Sequence, residues 1–275
     1  MLLLALLACT GSSDEDPTDS APTTTLDTGD KDTTVDTDTD TPTNSDPAED
    51  SAIPLGIVTG EAVDEDGQPL RDILVTTCRG SCISDNTDDA GWFLLPNVDP
   101  DDYPLSFVDL AGQYGVAVPL FMLTVGPGED VVLPEPVVMP RLQPAVPVPE
   151  FPGDVEVLPG VTLTVDPEEL WLAPWEPEGV LQGASPPAIP ALVPFEQALA
   201  VWYLGPFKSI SYAPMPLTLD NQWELAPGDT ARAWVVSYLD AVWVDAGLMT
   251  VSDDGTVLTG AAIEELTTLV LVAEE

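Results

Sequence analysis

The side chains of this sequence that could do chemistry are carboxylates and three cysteines, because the chain contains no histidine. Without histidine it can form no Ser-His-Asp triad, no His-ligated zinc site and no HExxH metallopeptidase motif. The 275 residues include 48 acidic and 6 basic residues, and the net charge is -42. A chain this acidic repels phosphate backbones, so binding to nucleic acid is excluded.

Acidic residues cluster in predicted turns, where they could bind calcium or act as acid–base catalysts. The clusters are Asp64, Glu65 and Asp66; Asp85, Asp88 and Asp89; Asp99, Asp101 and Asp102; and Asp253 and Asp254. Calcium needs several converging oxygen ligands, but residues 85–91 lack the EF-hand spacing and its closing Glu. Glycoside hydrolysis needs two carboxylates roughly 5–10 Å apart in a cleft, and the sequence neither supplies nor removes such a pair. We expect solvated turns, with no metal site, no cofactor and no catalytic residue.

Seven tryptophans could stack on sugar rings or fill a hydrophobic core. They are Trp92, Trp171, Trp175, Trp202, Trp223, Trp234 and Trp243. Most are predicted to lie in the core, where large aromatic side chains bury the most area. Trp171 and Trp175 lie in a Pro-rich segment, so we expect these two to be exposed and to form a contact surface.

Residues 1–9 are a short apolar run that ends in cysteine. Eight apolar residues cannot cross a bilayer as a helix, which takes about 20, but they fit the end of a signal peptide. Leu6-Leu7-Ala8-Cys9 resembles the lipobox of bacterial lipoproteins, although no Lys or Arg precedes it. The resemblance implies that Cys9 carries lipid, such as palmitate, and anchors the chain in the cell envelope. Thr10, in place of an Asp retention signal, favours the outer membrane or the cell surface.

Residues 10–52 are predicted to be a disordered tether. This segment contains 12 Thr, 13 acidic residues and one Lys. It has too little apolar surface to offset the entropy of ordering, and its charges repel one another. Such a spacer would hold a folded part away from a lipid surface.

Cys78 and Cys82 are the two remaining thiols if the chain is exported and Cys9 is lipidated. Exported chains form disulfides readily, so the resemblance to lipoproteins implies a local disulfide between them. A two-thiolate metal site would lack further suitable ligands. A redox centre is disfavoured because the spacing is not that of a CxxC motif and no helix start is predicted there to lower a thiol pKa.

Residues 53–140 are predicted to form a β-sandwich, because short apolar runs alternate with turns. The predicted strands include residues 73–77, 92–95, 103–108, 114–118 and 121–125. The abundance of Pro and Gly, 30 and 20 residues, also argues against a helical bundle. Phe93 and Leu95 alternate with their neighbours, so one face of this strand is expected to enter the core.

Part of this segment resembles the carboxypeptidase regulatory-like domain. The matching positions are Gly60, Ala62, Asp64, Gly67, Pro69, Leu70, Thr87, Asp88, Gly91, Phe93, Leu95, Tyr103 and Leu105. The resemblance implies a transthyretin-like, seven-stranded fold and a non-catalytic adaptor. One departure is Asp101-Asp102, where the family usually has Gly before the Tyr. No peptidase activity follows, because the chain has no histidine for the usual zinc ligands.

Residues 141–159 are predicted to be a Pro-rich, semi-rigid linker. Residues 160–275 are predicted to form a second β-sandwich domain, with strands near 160–165, 199–204, 215–219, 231–238 and 266–272. The segments 160–165, 225–228 and 243–255 resemble a ZU5-like β-rich module, which implies protein interaction.

The whole pattern predicts an all-β chain: two β-sandwich domains after a disordered acidic tether. We expect a non-enzymatic cell-envelope lipoprotein that binds a protein or a glycan and contacts the membrane through its lipid. Two alternatives stay open. One is a structural or display scaffold without a specific ligand, and the other is an enzyme that uses carboxylates alone, such as a glycoside hydrolase.

Overall fold

The computed structural model of the chain describes residues 53–173 and 179–274, and these residues form strands and turns without a helix. The predicted all-β fold class is therefore confirmed. From Ile53 onward the described residues belong to one compact unit. The predicted lipid anchor, the acidic tether and Trp175 lie outside the described residues.

The first eight strands form two small sheets. In chain order they are β1 (Gly56–Val63), β2 (Leu74–Arg79), β3 (Ser81–Asn86), β4 (Trp92–Val98), β5 (Asp101–Val108), β6 (Leu120–Val125), β7 (Asp130–Val132) and β8 (Val137–Val138). One sheet has the order β4-β1-β7, with β8 also paired to β1, and the other has the order β3-β2-β5-β6. The two sheets enclose a core in which the rings of Phe93 and Phe107 meet edge to face, with centroids 5.6 Å apart.

The remaining strands form one larger sheet. They are β9 (Val146–Pro147), β10 (Gly153–Leu158), β11 (Val161–Val165), β12 (Leu170–Trp171), β13 (Val180–Ala184), β14 (Ala198–Gly205), β15 (Ser209–Asp220), β16 (Thr230–Ser237), β17 (Val242–Val251), β18 (Val257–Leu266) and β19 (Thr268–Ala273). The order is β10-β11-β15-β18-β17-β16-β19-β14-β13-β9, and β12 pairs with β15. The sheet curls around a second core, so that β10 approaches β13. A Cβ on Gly183 would lie 2.8 Å from a methyl carbon of Leu158.

The Pro-rich segment 141–159 contributes two strands to the larger sheet. Val146 and Pro147 pair with β13, and β10 pairs with β11. The backbone N–H of Gln143 also donates to the carbonyl of Gly183 at 2.9 Å. This segment therefore makes backbone hydrogen bonds along much of its length.

The small sandwich and the larger sheet share buried contacts. The ring of Phe121, on β6, meets the ring of Tyr203, on β14, edge to face at 6.1 Å. Beside it, the backbone N–H of Leu120 donates to Oγ1 of Thr268 at 2.9 Å in a buried position. The core of the small sandwich continues into one face of the larger sheet through Tyr203, Val201 and Val270.

The predicted strand at residues 114–118 is wrong. This segment makes one isolated bridge, between Val116 and Arg141. The reason is a local turn: the carboxylate of Asp109 accepts hydrogen bonds from the backbone N–H groups of Gln113, Tyr114 and Gly115. A carboxylate that gathers several backbone donors stabilises a loop at the expense of a strand.

Candidate binding site

A cleft of about 510 Å³ lies where the end of β3 meets the edge strand β4. Its lining combines an indole and aliphatic groups with two carboxylates, an amide and a hydroxyl. The lining residues are Thr59, Asp85, Asn86, Asp88, Trp92, Phe93 and Leu94. Pockets for small ligands usually measure about 300–1,000 Å³ and combine apolar walls with a few polar groups. This cleft has a volume in that range and both kinds of group, but it is shallow and open to solvent.

The pleat of β4 turns Trp92 toward solvent. Successive side chains of a strand point to opposite faces, and Phe93 and Leu95 are buried in the core at 3% and 0% exposure. Trp92 and Leu94 therefore face outward, and they are 49% and 47% exposed. If β4 slipped by one residue relative to β1, Trp92 and Leu94 would turn inward and Phe93 and Leu95 would turn outward. This slip would expose Phe93 and Leu95, whose burial contributes roughly 1.5–3 kcal/mol each.

The outer face of β1 and β7 extends the apolar surface beside the cleft. Thr59, on β1, pairs with Leu94 of β4 on one side and with Val132 of β7 on the other. Paired residues share one face of a sheet, and Val132 is 65% exposed. Leu94, Thr59 and Val132 thus form a continuous row across three strands, next to Trp92.

Asp88 fixes the turn from which Trp92 projects. The backbone N–H groups of Ala90 and Trp92 donate to Oδ1 of Asp88 at 2.8 and 3.0 Å. Gly91 completes the turn with a φ of 79°. A Cβ at Gly91 would lie 2.6 Å from the carbonyl oxygen of Ala62, so this position requires glycine both for its conformation and for its close approach to β1.

Asp85 joins the edges of the two small sheets. Its Oδ2 accepts a hydrogen bond at 2.9 Å from the backbone N–H of Leu94. Because Asp85 belongs to β3 and Leu94 to β4, the bond bridges two strands that are not neighbours in any sheet. Both carboxylates of the cleft are therefore held by backbone donors.

The cleft lining contains no basic residue. Arg71, on the nearby β1–β2 connection, is engaged by carboxylates of its own: its Nε lies 3.1 Å from Asp72 and its Nη1 lies 2.6 Å from Asp89. The surface that a ligand meets at Trp92 is consequently apolar and negatively charged.

Cys78 and Cys82 form the predicted disulfide. They lie on paired strands, and not in the loop that was expected to follow the second strand. Cys78 is on β2 and Cys82 is on β3, directly opposite each other in a hairpin whose turn is made by Gly80 and its two neighbours. The disulfide therefore closes the tip of the hairpin that carries Asp85 at its other end.

Trp171 is 41% exposed, and it lies on β12 opposite Ile210 of β15. Tyr212, two residues further along β15, is 71% exposed. Because residues two apart on a strand share a face, Trp171 and Tyr212 lie on the same side of the larger sheet. The role of Trp171 in ligand contact stays a prediction, and its predicted companion Trp175 lies in the gap between the described ranges.

The other tryptophans are at least partly buried. Trp202 is 5% exposed, and its ring meets that of Trp223 edge to face at 6.0 Å. Phe195 stacks on Trp234 and meets Trp243 edge to face. These four tryptophans pack as the sequence predicts, and Trp92 is the one whose position differs from the expectation.

Residues 53–173 and 179–274 contain neither a metal-binding cluster nor a membrane-spanning helix. No group of three or more His, Cys, Asp or Glu side chains there is arranged to hold a metal ion. No helix in these ranges has the length and hydrophobicity needed to cross a membrane.

No protein-family model and no curated protein matches this chain. Among solved structures, a proposed carbohydrate-binding protein from Bacteroides uniformis is 10% identical, with 80% of each chain covered and a TM-score of 0.24. The TIE protein of Bacillus anthracis is 10% identical, with 81% of this chain and 49% of that chain covered and a TM-score of 0.29. A DUF3823 family protein from Bacteroides ovatus is 12% identical, with 78% of this chain and all of that chain covered and a TM-score of 0.25. Similarities this distant assign neither a family nor a ligand.

Sequence reasoning missed the cleft, although part of the signal was available. The alternation that places Phe93 and Leu95 in the core also places Trp92 and Leu94 on the outside. No local pattern reveals that Asp85 reaches Leu94, because that contact depends on how two separate sheets pack.

Proposed function

We propose that this chain is a non-enzymatic binding module of the bacterial cell envelope, and that it binds a glycan at the Trp92 cleft. The observation that carries the proposal is the exposed indole of Trp92 beside two carboxylates held by backbone hydrogen bonds. Sugar rings present apolar faces edged by hydroxyl groups. A half-exposed aromatic ring flanked by fixed hydrogen-bond acceptors is complementary to such a ligand.

The dimensions of the cleft favour a glycan over a folded protein. A specific protein interface buries about 800 Å² on each partner, whereas the cleft is a small, open depression of about 510 Å³ lined by seven residues. That space suits a few sugar units. A protein ligand is therefore the alternative outcome of the test below.

A glycan array probed with the folded part of the chain tests this proposal, with Trp92→Ala as the key variant. Phe151→Ala is the matched control, because it also removes an exposed aromatic side chain, but one that lies just before β10 and away from the cleft lining. We expect one glycan class to bind the parent and the control, and binding to fall at least tenfold in Trp92→Ala. Equal binding by all three proteins would overturn the proposed site, and an array without any hit would favour the scaffold alternative.

The proposed location depends on Cys9 and on the acidic segment that follows it. Lipid at Cys9 would tether the module, and the charged segment of residues 10–52 would separate it from the membrane surface. Metabolic labelling with radioactive palmitate tests this step, with Cys9→Ala as the variant. We expect label in the parent alone, and label that persists in Cys9→Ala would refute the anchor.

The absence of catalysis is likewise a proposal. We expect no hydrolysis of any glycan that the array identifies, even after prolonged incubation with stoichiometric protein. Turnover that disappears in Asp85→Asn or Asp88→Asn would instead establish the carboxylate-only enzyme.

The non-catalytic proposal agrees with the resemblance of residues 53–140 to the carboxypeptidase regulatory-like domain. Residues 53–140 contain eight strands in two facing sheets, β1 to β8, one more than the seven that the resemblance implies. The ZU5-like resemblance of the C-terminal part stays a prediction.

A further inference from the structure

We propose that the ligand of the Trp92 cleft carries positive charge, and specifically that it is an amino-sugar glycan with free ammonium groups. This inference rests on the proposed function, because it names the chemical class of glycan that the same cleft would select. It goes beyond stacking on an indole, which any sugar with an apolar face could provide.

The first argument is the arrangement of the two carboxylates. Asp85 and Asp88 both line the cleft with Trp92. Asp88 accepts from the N–H of Trp92, and Asp85 accepts from the N–H of Leu94. These bonds fix both carboxylates before a ligand arrives. A ligand cation therefore meets an arranged site, and binding orders fewer side chains.

The second argument is that the cleft lining offers no positive charge to an anion. The lining has no Lys or Arg, and the guanidinium of Arg71 is already paired with Asp72 and Asp89. Residues 53–275 contain 35 acidic and five basic residues. A field of this sign repels uronic acids, sulfated sugars and phosphate-bearing polymers, and it raises the local concentration of cations.

The third argument concerns Trp92 itself. An ammonium group placed over an indole face gains a cation–π attraction that a neutral acetamide lacks, and tryptophan provides the strongest such face. In this cleft the same ammonium would also lie near the carboxylates. Lys208 already makes contacts of this kind elsewhere in the structure, because its Nζ lies 3.9 Å from the ring centroid of Tyr238 and 5.4 Å from that of Phe207.

The expected selectivity is modest, because the site is open to solvent. Exposed ion pairs and exposed cation–π contacts are individually weak. Two carboxylates and one indole together should favour an ammonium-bearing oligomer about tenfold over its neutral counterpart, and added salt should reduce that preference.

Calorimetric titration with two matched ligands tests the inference. The ligands are glucosamine oligomers with free amines and their fully N-acetylated counterparts of equal length, at about pH 5.5, where carboxylates are ionised and amines are protonated. The full folded chain is compared with Asp85→Asn/Asp88→Asn, in which the amide oxygens still accept the backbone hydrogen bonds. The matched control, Asp253→Asn/Glu264→Gln, removes the same number of charges from exposed positions elsewhere.

We expect the amine oligomer to bind the parent and the control about tenfold more tightly than the acetylated one, and the preference to vanish in Asp85→Asn/Asp88→Asn. Equal binding of both oligomers, abolished by Trp92→Ala, would overturn this inference and leave the proposed glycan site intact. Amine binding that is unchanged in Trp92→Ala would indicate general adsorption to an acidic surface and would also overturn it. If neither oligomer binds and the array has no Trp92-dependent hit, the proposed function itself fails.

Discussion

The carboxylate of Asp85 and the backbone N–H of Leu94 form a 2.9 Å hydrogen bond that joins two edge strands belonging to different sheets. Edge strands expose unpaired backbone groups, and a side-chain acceptor is one way to satisfy them. The same bond holds one wall of the cleft in place. Asp85 therefore links the stability of the small sandwich to the shape of the candidate site.

Removing this acceptor should destabilise the small sandwich. In Asp85→Ala the N–H of Leu94 loses its partner, and we expect a loss of about 1 kcal/mol in the free energy of unfolding. Asp85→Asn keeps an acceptor oxygen and should lose less than half of that amount. Urea denaturation monitored by tryptophan fluorescence measures the free energy of unfolding of both variants. Equal losses in Asp85→Ala and Asp85→Asn would show that the carboxylate charge, and not the hydrogen bond, stabilises the small sandwich.

Comparing Gly91 with Gly80 distinguishes two effects of a Gly→Ala substitution on the free energy of unfolding. One is the strain of a positive φ, and the other is a steric clash of the new Cβ with a neighbouring strand. Both glycines have φ near 78°, but a Cβ at Gly91 would lie 2.6 Å from the carbonyl oxygen of Ala62, whereas a Cβ at Gly80 would meet nothing within 4 Å. We expect Gly80→Ala to cost about 1 kcal/mol, and Gly91→Ala to cost at least about 2 kcal/mol more because the turn must move. Thermal and urea denaturation measure the loss of unfolding free energy in each variant. Equal losses in Gly80→Ala and Gly91→Ala would contradict the account.

The hydroxyl of Tyr203 should be dispensable for stability. This side chain is 1% exposed, and its hydroxyl has no hydrogen-bond partner among the described residues. Burial, and secondarily the negative charge of Glu135, raise the pKa of Tyr203, so its hydroxyl stays protonated. Tyr203→Phe removes a desolvated polar atom and keeps the ring against Phe121, so we expect stability to be unchanged or to rise by about 1 kcal/mol. A clear loss in denaturant titration would show that the hydroxyl has a partner in solution.

Asp254 should titrate at unusually low pH. Hydrogen bonds from the hydroxyl of Ser252, then from the hydroxyl and backbone N–H of Thr256, hold its pKa at about 2, below the ordinary value of 3.8. A lowered pKa in the folded state means that the ionised carboxylate stabilises the β17–β18 turn above pH 3.8, and that this contribution is lost as the pH falls toward 2. An NMR titration of the carboxyl carbon measures the midpoint directly. A midpoint near 4 that is unchanged in Ser252→Ala would contradict the assigned cause.

Local patterns predicted the small sandwich well where side chains alternate. Phe93 and Leu95 are inside because they repeat every second residue, and the predicted strand at 92–95 is β4. Strand β3 was missed because Ser81–Asn86 is largely polar and exposed, so it has no apolar alternation to detect. It forms because β2 supplies a hairpin partner across the Cys78–Cys82 disulfide.

The cleft was beyond prediction because it depends on contacts between distant parts of the chain. The position of Asp85 relative to Leu94 follows from the packing of one sheet on another, which no local spacing encodes. The Pro-rich segment 141–159 illustrates the same limit. Proline favours an extended backbone. Whether that backbone joins a sheet depends on a neighbouring strand with free hydrogen-bonding groups, and here β13 is that strand for Val146 and Pro147.

The central claim is that a ligand sits on the indole of Trp92, and the most direct measurement is the NMR signal of the Nε1–H group of that side chain. The account predicts that an amine-bearing oligosaccharide shifts the Trp92 signal in a saturable manner and leaves the signal of the buried Trp202 unchanged. A titration that reaches saturation by calorimetry without moving the Trp92 signal would contradict it.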